Sequence, residues 1–290
     1  MIEAVFTRNG VSVDLLRLDT LNTLAPGNKW FKLHLNLAAA RDAGAETLLS
    51  FGGAYSNHLH ALAAIAHAEG VSAVACVRAD PDKELSPTLQ DAVAWGMHLH
   101  FLSRSDYRRR HDLEFVAAVM AQYSRPYLIP EGGSNLLGAE GCRGIAALIP
   151  DNGRAYSAVV LACGTGTTLA GVSAQLADGV KAIGIPVLKA ETYMAADIQR
   201  MQLDLGHYRQ NWTLDHRFHG GAYARLSEPL RKFILDFELA HDIALDPVYT
   251  AKMMYGLRHM IDCDEFTAGS RVLAIHTGGM QGRRGFPELA

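Results

Sequence analysis

Apolar residues along this chain fall into short runs, each followed by a turn and then by a stretch with helical spacing. Runs that predict strands are Thr47–Phe51, Ser72–Arg78, His98–Leu102, Ala158–Cys163, Val180–Ile185 and Arg271–Thr277. Helices are predicted over Asn57–Glu69, Thr88–Trp95 and Thr168–Leu176, with a longer one that has room for a kink over Asp106–Tyr123. Ala158–Cys163 is apolar throughout, the pattern of a strand covered on both faces. Strands alternating with helices predict an α/β fold of open, parallel-rich sheets with helices on both faces. Ligands of such sheets sit beyond the carboxyl ends of the strands, so chemistry is expected in the turns that follow them.

The compact run of strand–helix units over residues 33–135 predicts a small domain. Residues 1–32 and 136–290 are expected to pair into a second, larger one. No internal repeat, low-complexity tract or long linker interrupts this layout.

Composition narrows the function. The chain has 290 residues, of which 49% are hydrophobic, enough for a large core. Its formal net charge of −3 leaves no basic surplus for nucleic acid. Arg108–Arg110 reads as a solvated helix face. Cysteines stand at 76, 142, 163 and 263 with no CxxC pair, and the apolar surroundings of Cys76 and Cys163 suggest reduced thiols in a cytoplasmic protein. Glu3 and Arg8 argue against a signal peptide, and no apolar stretch is long enough to span a membrane. The 13 histidines lack metal spacing, so no catalytic metal is expected; His58 and His60 are two residues apart, which is wrong for one helix face.

Three strand ends carry unusual residues. In Leu48–His58, two glycines end a strand, and Ser56 and Asn57 open the next helix, where free amides attract anions. In Ala162–Gly171, Gly164, Thr165, Gly166, Thr167 and Thr168 form a turn whose amides and hydroxyls suit a phosphate monoester. That turn is no P-loop, because no Gly-Lys-Ser/Thr follows, and Leu169 spoils a GxGxxG pattern. In Ala274–Gly282, Thr277 is a hydroxyl at a strand end. Lys29, after Pro-Gly-Asn, opens a helix whose dipole favours the free amine that a Schiff base needs. Lys32 is equally available, and spacing does not choose between the two.

Taken together and in order, LLRLDTLNTLAPGNKWFKL, LSFGGAYSNH, LACGTGTTLAG, LDPVYTAKMMYGL and IHTGGMQG resemble the 1-aminocyclopropane-1-carboxylate (ACC) deaminase/D-cysteine desulfhydrase family, fold type II enzymes of pyridoxal 5'-phosphate (PLP). The chain begins closer to its Arg17–Asp19 segment than the family usually does, implying a shortened large-domain edge. The resemblance implies a two-domain fold, PLP as cofactor and commonly a homodimer. It assigns the cofactor to Lys29 rather than Lys32. It also implies that Asn57 meets the cofactor's ring hydroxyl and that Ser56 serves the substrate carboxylate or a proton transfer. Gly164 to Thr168 would hold the phosphate, and Tyr223 and Tyr249 would face a small amino acid.

Two departures shape the expected reaction. ACC deaminases carry a glutamate facing the ring nitrogen where this chain has Thr250, and an apolar residue where it has Thr277. They also carry Tyr-Pro where Gly220–Gly221 stands here. Both threonines resemble the desulfhydrase branch, whereas the HGGAYAR segment differs from well-known desulfhydrases as well; the expectation is β-elimination from D-cysteine or a related β-substituted amino acid, with the substrate itself open. The alternatives are ACC deamination, or a β-replacement synthase or racemase of the same fold. A nucleotide-binding reading of GTGTTLAG lacks an acidic ribose partner, since Gly184–Ile185–Pro186 stands there. Intact Lys29, Ser56, Asn57, Tyr223 and Tyr249 argue against a regulatory protein with a decayed site.

Overall fold

The computed structural model describes residues 1–289. Among the described residues, ten strands form two sheets. The first is built from β1 (Ile2–Arg8), β2 (Val11–Arg17), β7 (Ala158–Cys163), β8 (Lys181–Pro186), β9 (Trp212–Leu214) and β10 (Arg271–His276), in the order β1-β2-β10-β7-β8-β9. Only β1 and β2 pair antiparallel; the other pairings are parallel. Asn9 and Gly10, both at positive φ, close that hairpin with the two-residue turn that suits strand twist.

The second sheet is wholly parallel: β5 (His98–Phe101), β4 (Ser72–Arg78), β3 (Thr47–Gly53) and β6 (Pro126–Ile129), in that order. Its strands lie within residues 33–135. Helix α1 (Asn28–Asp42) runs without a break past residue 32.

Side-chain alternation explains why the central strands read as continuous apolar runs. In β7, Ala158, Val160 and Ala162 enter the core on one face of the sheet. Val159, Leu161 and Cys163 enter the core on the other. In β3, Leu48 faces the core that holds α2 (Asn57–Glu69), while Leu49 and Phe51 face the opposite side.

Helices start where the sequence offers a cap. Ser56 accepts the Leu59 amide to open α2, and Gly70 in the left-handed conformation ends it. The expected long helix over Asp106–Tyr123 is two helices, α4 (Arg104–Arg108) and α5 (Leu113–Met120). Asp112 breaks it: its side chain takes the Glu114 and Phe115 amides and starts a new helix instead of continuing the old one. Two more helices flank the site, α7 (Thr167–Gln175) and α10 (Thr250–Asp262).

Candidate active site

The carboxyl ends of β3, β7 and β10 open onto one cleft of about 2420 Å³. Its floor is set where the end of β10 meets the start of α1. Gly27 has φ +82°, and a Cβ there would lie 2.0 Å from the Thr277 carbonyl oxygen. The Asn28 amide donates to that same oxygen at 3.1 Å. Only glycine tolerates both this φ and this approach, and the result puts Lys29 in the first turn of α1, inside the cleft.

Lys29 Nζ donates to Asn28 Oδ1 at 2.6 Å, and Asn28 Nδ2 donates to Thr168 Oγ1 at 2.9 Å. The amine is thereby tied to the Gly/Thr turn. Burial brings Lys29 down to about 7, and the nearby Lys32 ammonium adds to the fall. Part of its population is therefore the neutral nucleophile at neutral pH. The direction agrees with the expectation from the helix dipole, whereas the causes are dehydration and a second cation.

Lys32 is itself buried, and Nζ donates to Thr165 Oγ1 at 3.3 Å. Burial lowers its pKa too. The turn above it is braced from inside: the Thr165 and Thr167 hydroxyls are 2.8 Å apart, and Thr167 donates to Ser134 Oγ at 2.9 Å. Gly166, at φ +78°, opens α7 with no side chain capping the helix. Gly164, Thr165, Gly166 and Thr168 line the cleft, while the Thr167 side chain is turned to Ser134.

Helix α2 presents a second amino end to the same space. Ser56, Asn57 and His58 line it. Asn57 Oδ1 accepts from Gln281 Nε2 at 2.6 Å, which leaves its Nδ2 side as donor. His58, which the sequence raises only as a metal ligand with the wrong spacing, is part of this group. Its Nε2 lies 2.9 Å from Ser50 Oγ, and its buried Nδ1 has no partner among the described residues. Burial, then the Lys29 and Lys32 charges, lower it to about 3, so the ring is neutral.

Across the cleft, the Tyr223 and Tyr249 hydroxyls are 3.1 Å apart. Lys29 Nζ is 5.9 Å from the centre of the Tyr249 ring. Tyr249 packs on the phosphate-type turn, since a Cβ on Gly164 would lie 3.2 Å from its Cε1. Burial raises both tyrosines above their ordinary value, Tyr249 strongly, and the bond between their hydroxyls opposes the rise at Tyr223 and adds to it at Tyr249. Both therefore stay protonated. Tyr223 is 47% exposed, so its ring stands at the mouth while its hydroxyl is turned inward.

The two threonines expected near one another serve different ends. Thr277 lines the cleft, and its hydroxyl has no hydrogen-bond partner among the described residues. Thr250 is fully buried, and its hydroxyl donates to Asp246 Oδ2 at 3.0 Å and accepts from the Asp246 amide at 2.8 Å. It does not line the cleft. Asp246, unremarked in the sequence, caps α10 by accepting the Val248, Tyr249 and Thr250 amides. Burial raises its pKa, and those bonds oppose the rise.

A family described as pyridoxal-phosphate dependent enzymes matches residues 3–278. The chain belongs to that family. It is 30% identical over 287 residues to a D-cysteine desulfhydrase of Yersinia pestis, covering 93% of this chain and 87% of that protein. It is 29% identical over 296 residues to the mitochondrial bifunctional D-cysteine desulfhydrase/ACC deaminase of Arabidopsis thaliana, covering 94% and 74%. Among solved structures, an ACC deaminase homologue superposes with a TM-score of 0.85 at 25% identity, covering 98% of this chain and 90% of that one. The protein is thus a PLP-dependent enzyme of fold type II.

The cleft of this PLP enzyme fits its cofactor. The uncapped amino end of α7, the Gly/Thr turn and the buried Lys32 ammonium make a cationic cradle for a phosphate. Lys29, with its lowered pKa, could supply the amine for a covalent bond to the aldehyde. The amino end of α2, where Ser56 and Asn57 line the cleft, is a second place where an anion could be held.

Proposed function

We propose that this enzyme is a β-eliminating lyase acting on D-cysteine or a closely related β-substituted amino acid. For cysteine the balance is one amino acid plus one water giving pyruvate, ammonia and hydrogen sulfide. The observation that carries this reading is the free Thr277 hydroxyl in the cleft, where a carboxylate would favour deeper charge delocalisation. The relatives named for D-cysteine desulfhydrase support it further.

PLP, held on Lys29, supplies an electron sink for the bonds at the substrate α-carbon. The residues divide the remaining work. Gly164 to Thr168, with Lys32, would hold the phosphate, the Thr167 side chain by bracing Thr165. Asn57 would donate to the ring hydroxyl and Thr277 would meet the ring nitrogen. Thr250 acts one step back, by fixing Asp246 and the start of α10. Ser56 and the free amides of α2 take the carboxylate. As a free amine beside the substrate, Lys29 would move the α-proton, since its pKa of about 7 suits a general base near neutral pH. Tyr249 and Tyr223, both protonated and in contact, donate toward the departing β-substituent.

Two domains, built on the two sheets with boundaries near residues 32 and 135, would bracket the cleft. A cytoplasmic homodimer is proposed as the working form; four free cysteines agree with a reducing compartment.

The test is to incubate holoenzyme with D-cysteine, L-cysteine and ACC in parallel, following sulfide and 2-oxo acid. Sulfide and pyruvate in equal amounts from D-cysteine, with little product from ACC, is the expected result. Rapid 2-oxobutyrate formation from ACC without sulfide from either cysteine would overturn it.

A further inference from the structure

Lys252 lies on α10, three residues after Tyr249, and is 1% exposed. Among the described residues, no carboxylate is within salt-bridge distance of its ammonium. Instead, Nζ donates to three backbone carbonyls: Val187 at 3.1 Å, His219 at 2.8 Å and Ala222 at 3.0 Å. An ammonium has three protons to donate, so every one is used, and the charged form is the one that the site satisfies. Burial draws Lys252 down to about 8 while Asp246 opposes the fall, which leaves it mostly charged at neutral pH.

The residues around it are built for this contact. Val187 directly follows β8 and precedes Leu188, which lines the cleft. His219 and Ala222 bracket Gly220 and Gly221, both at positive φ. Gly220 is at φ +69°, where a side chain is strained, and a Cβ there would lie 3.3 Å from Lys252 Cε and 3.5 Å from Nζ, so the loop fits closely around the ammonium. The next residue after Ala222 is Tyr223, whose hydroxyl contacts that of Tyr249. One cation therefore joins the helix that carries Tyr249 to the loop that carries Tyr223.

We propose that Lys252 is a built-in cation that positions Tyr223 against Tyr249, occupying a three-carbonyl site that a monovalent ion of ammonium or potassium size could fill in its absence. Oxygen-only ligands at these distances suit such ions, and three buried carbonyls without a donor are costly to leave bare. Lys252 is a positioning residue, as it touches neither the cleft nor the reacting groups. The wild-type enzyme then has no need of an added cation. The expected loss of turnover rests on the proposed function, for the roles of Tyr223 and Tyr249 and for the assay substrate, whereas the cation dependence of the thermal midpoint does not.

The test compares wild-type holoenzyme with Lys252→Ala and Lys252→Met in ammonium, potassium, sodium, lithium and choline chloride at one ionic strength. Wild-type turnover of D-cysteine and thermal midpoint should be the same in all five. Lys252→Ala in choline should lose about a hundred-fold in kcat, the scale of a small misplacement of catalytic groups, with its cofactor absorbance intact. Ammonium and potassium should restore turnover and raise its thermal midpoint, whereas lithium should not. Lys252→Met, whose side chain fills the space without charge, should lose turnover without rescue. The thermal midpoint needs no substrate, so it reads the cation site even if D-cysteine proves not to be turned over.

A Lys252→Ala midpoint and turnover indifferent to the ion would overturn the proposal, as would wild-type turnover that rises several-fold in potassium over choline. If neither variant folds in any salt, Gly220→Ala decides, because it crowds the same ammonium. A fall in turnover with the cofactor band retained supports the proposal, and unchanged turnover contradicts it.

Discussion

Tyr223 and Tyr249 meet hydroxyl to hydroxyl at 3.1 Å, with rings 6.1 Å apart and inclined at 74°. Two protonated phenols in contact can pass a proton between the mouth of the cleft and its interior. Replacing either by phenylalanine should lower kcat by about a hundred-fold or more, the usual scale of a lost general acid. Cofactor absorbance should survive, because neither hydroxyl is assigned to holding it. The double variant should cost less than the product of the single losses, since the two act as one unit. Steady-state kinetics of the three variants checks this; fully multiplicative losses would separate the two residues.

Lys29 links the cleft to stability. Its folded value of about 7 lies below the ordinary 10.5. Between those values the unfolded chain binds a proton that the folded chain releases, so the cofactor-free protein gains stability as pH rises through that window. Below about 7 the cost of the buried charge is present in full. Cofactor-free Lys29→Met lacks this dependence, so it should outlast the wild type in urea at about pH 6, and the gap should narrow toward about pH 10. A gap that stays constant with pH would contradict the lowered value.

The two threonines offer a clean contrast. Thr277→Ala should weaken turnover while leaving the covalent cofactor and the urea midpoint in place. Thr250→Ala removes a hydroxyl already bonded to Asp246, so its main effect should be a loss of about 1–2 kcal/mol of stability. Parallel denaturation and kinetic measurements on the pair separate a ring contact from a helix cap. The reverse pattern would exchange their roles.

Lys32, 3.3 Å from Thr165 Oγ1, should matter for retention of the cofactor rather than for its chemistry. Lys32→Met should weaken PLP affinity by about tenfold or more, as expected for a hydrogen bond between charged groups, with near-normal turnover once PLP is saturating. Dialysis followed by titration with PLP measures it. Unchanged affinity would remove Lys32 from the phosphate site.

Much of this was legible in the chain. The apolar run Ala158–Cys163 and the capped start at Ser56–Asn57 are local signals, and the structure carries both where they were expected. What was hidden depends on distant chain segments meeting. Thr250 and Thr277 look alike in sequence, yet one hydroxyl is taken by Asp246, a contact set by the start of α10, and the other is free. Lys32 looked like a rival to Lys29 and proves to be its neighbour, three residues along the same helix and tied to Thr165. His58 was judged for metal spacing, whereas its burial beside two lysines is a property of the folded cleft. Lys252 had no local signal at all, because its three partners are backbone carbonyls from other segments.

The most direct test of the account is to reduce the holoenzyme with borohydride, digest it and find the cofactor-bearing peptide by mass spectrometry. The account predicts the phosphopyridoxyl group on Lys29 alone, none in Lys29→Ala, and protection of that label when D-cysteine is added before reduction. Label on Lys32 or another lysine, or equal labelling in the Lys29→Ala protein, would contradict it.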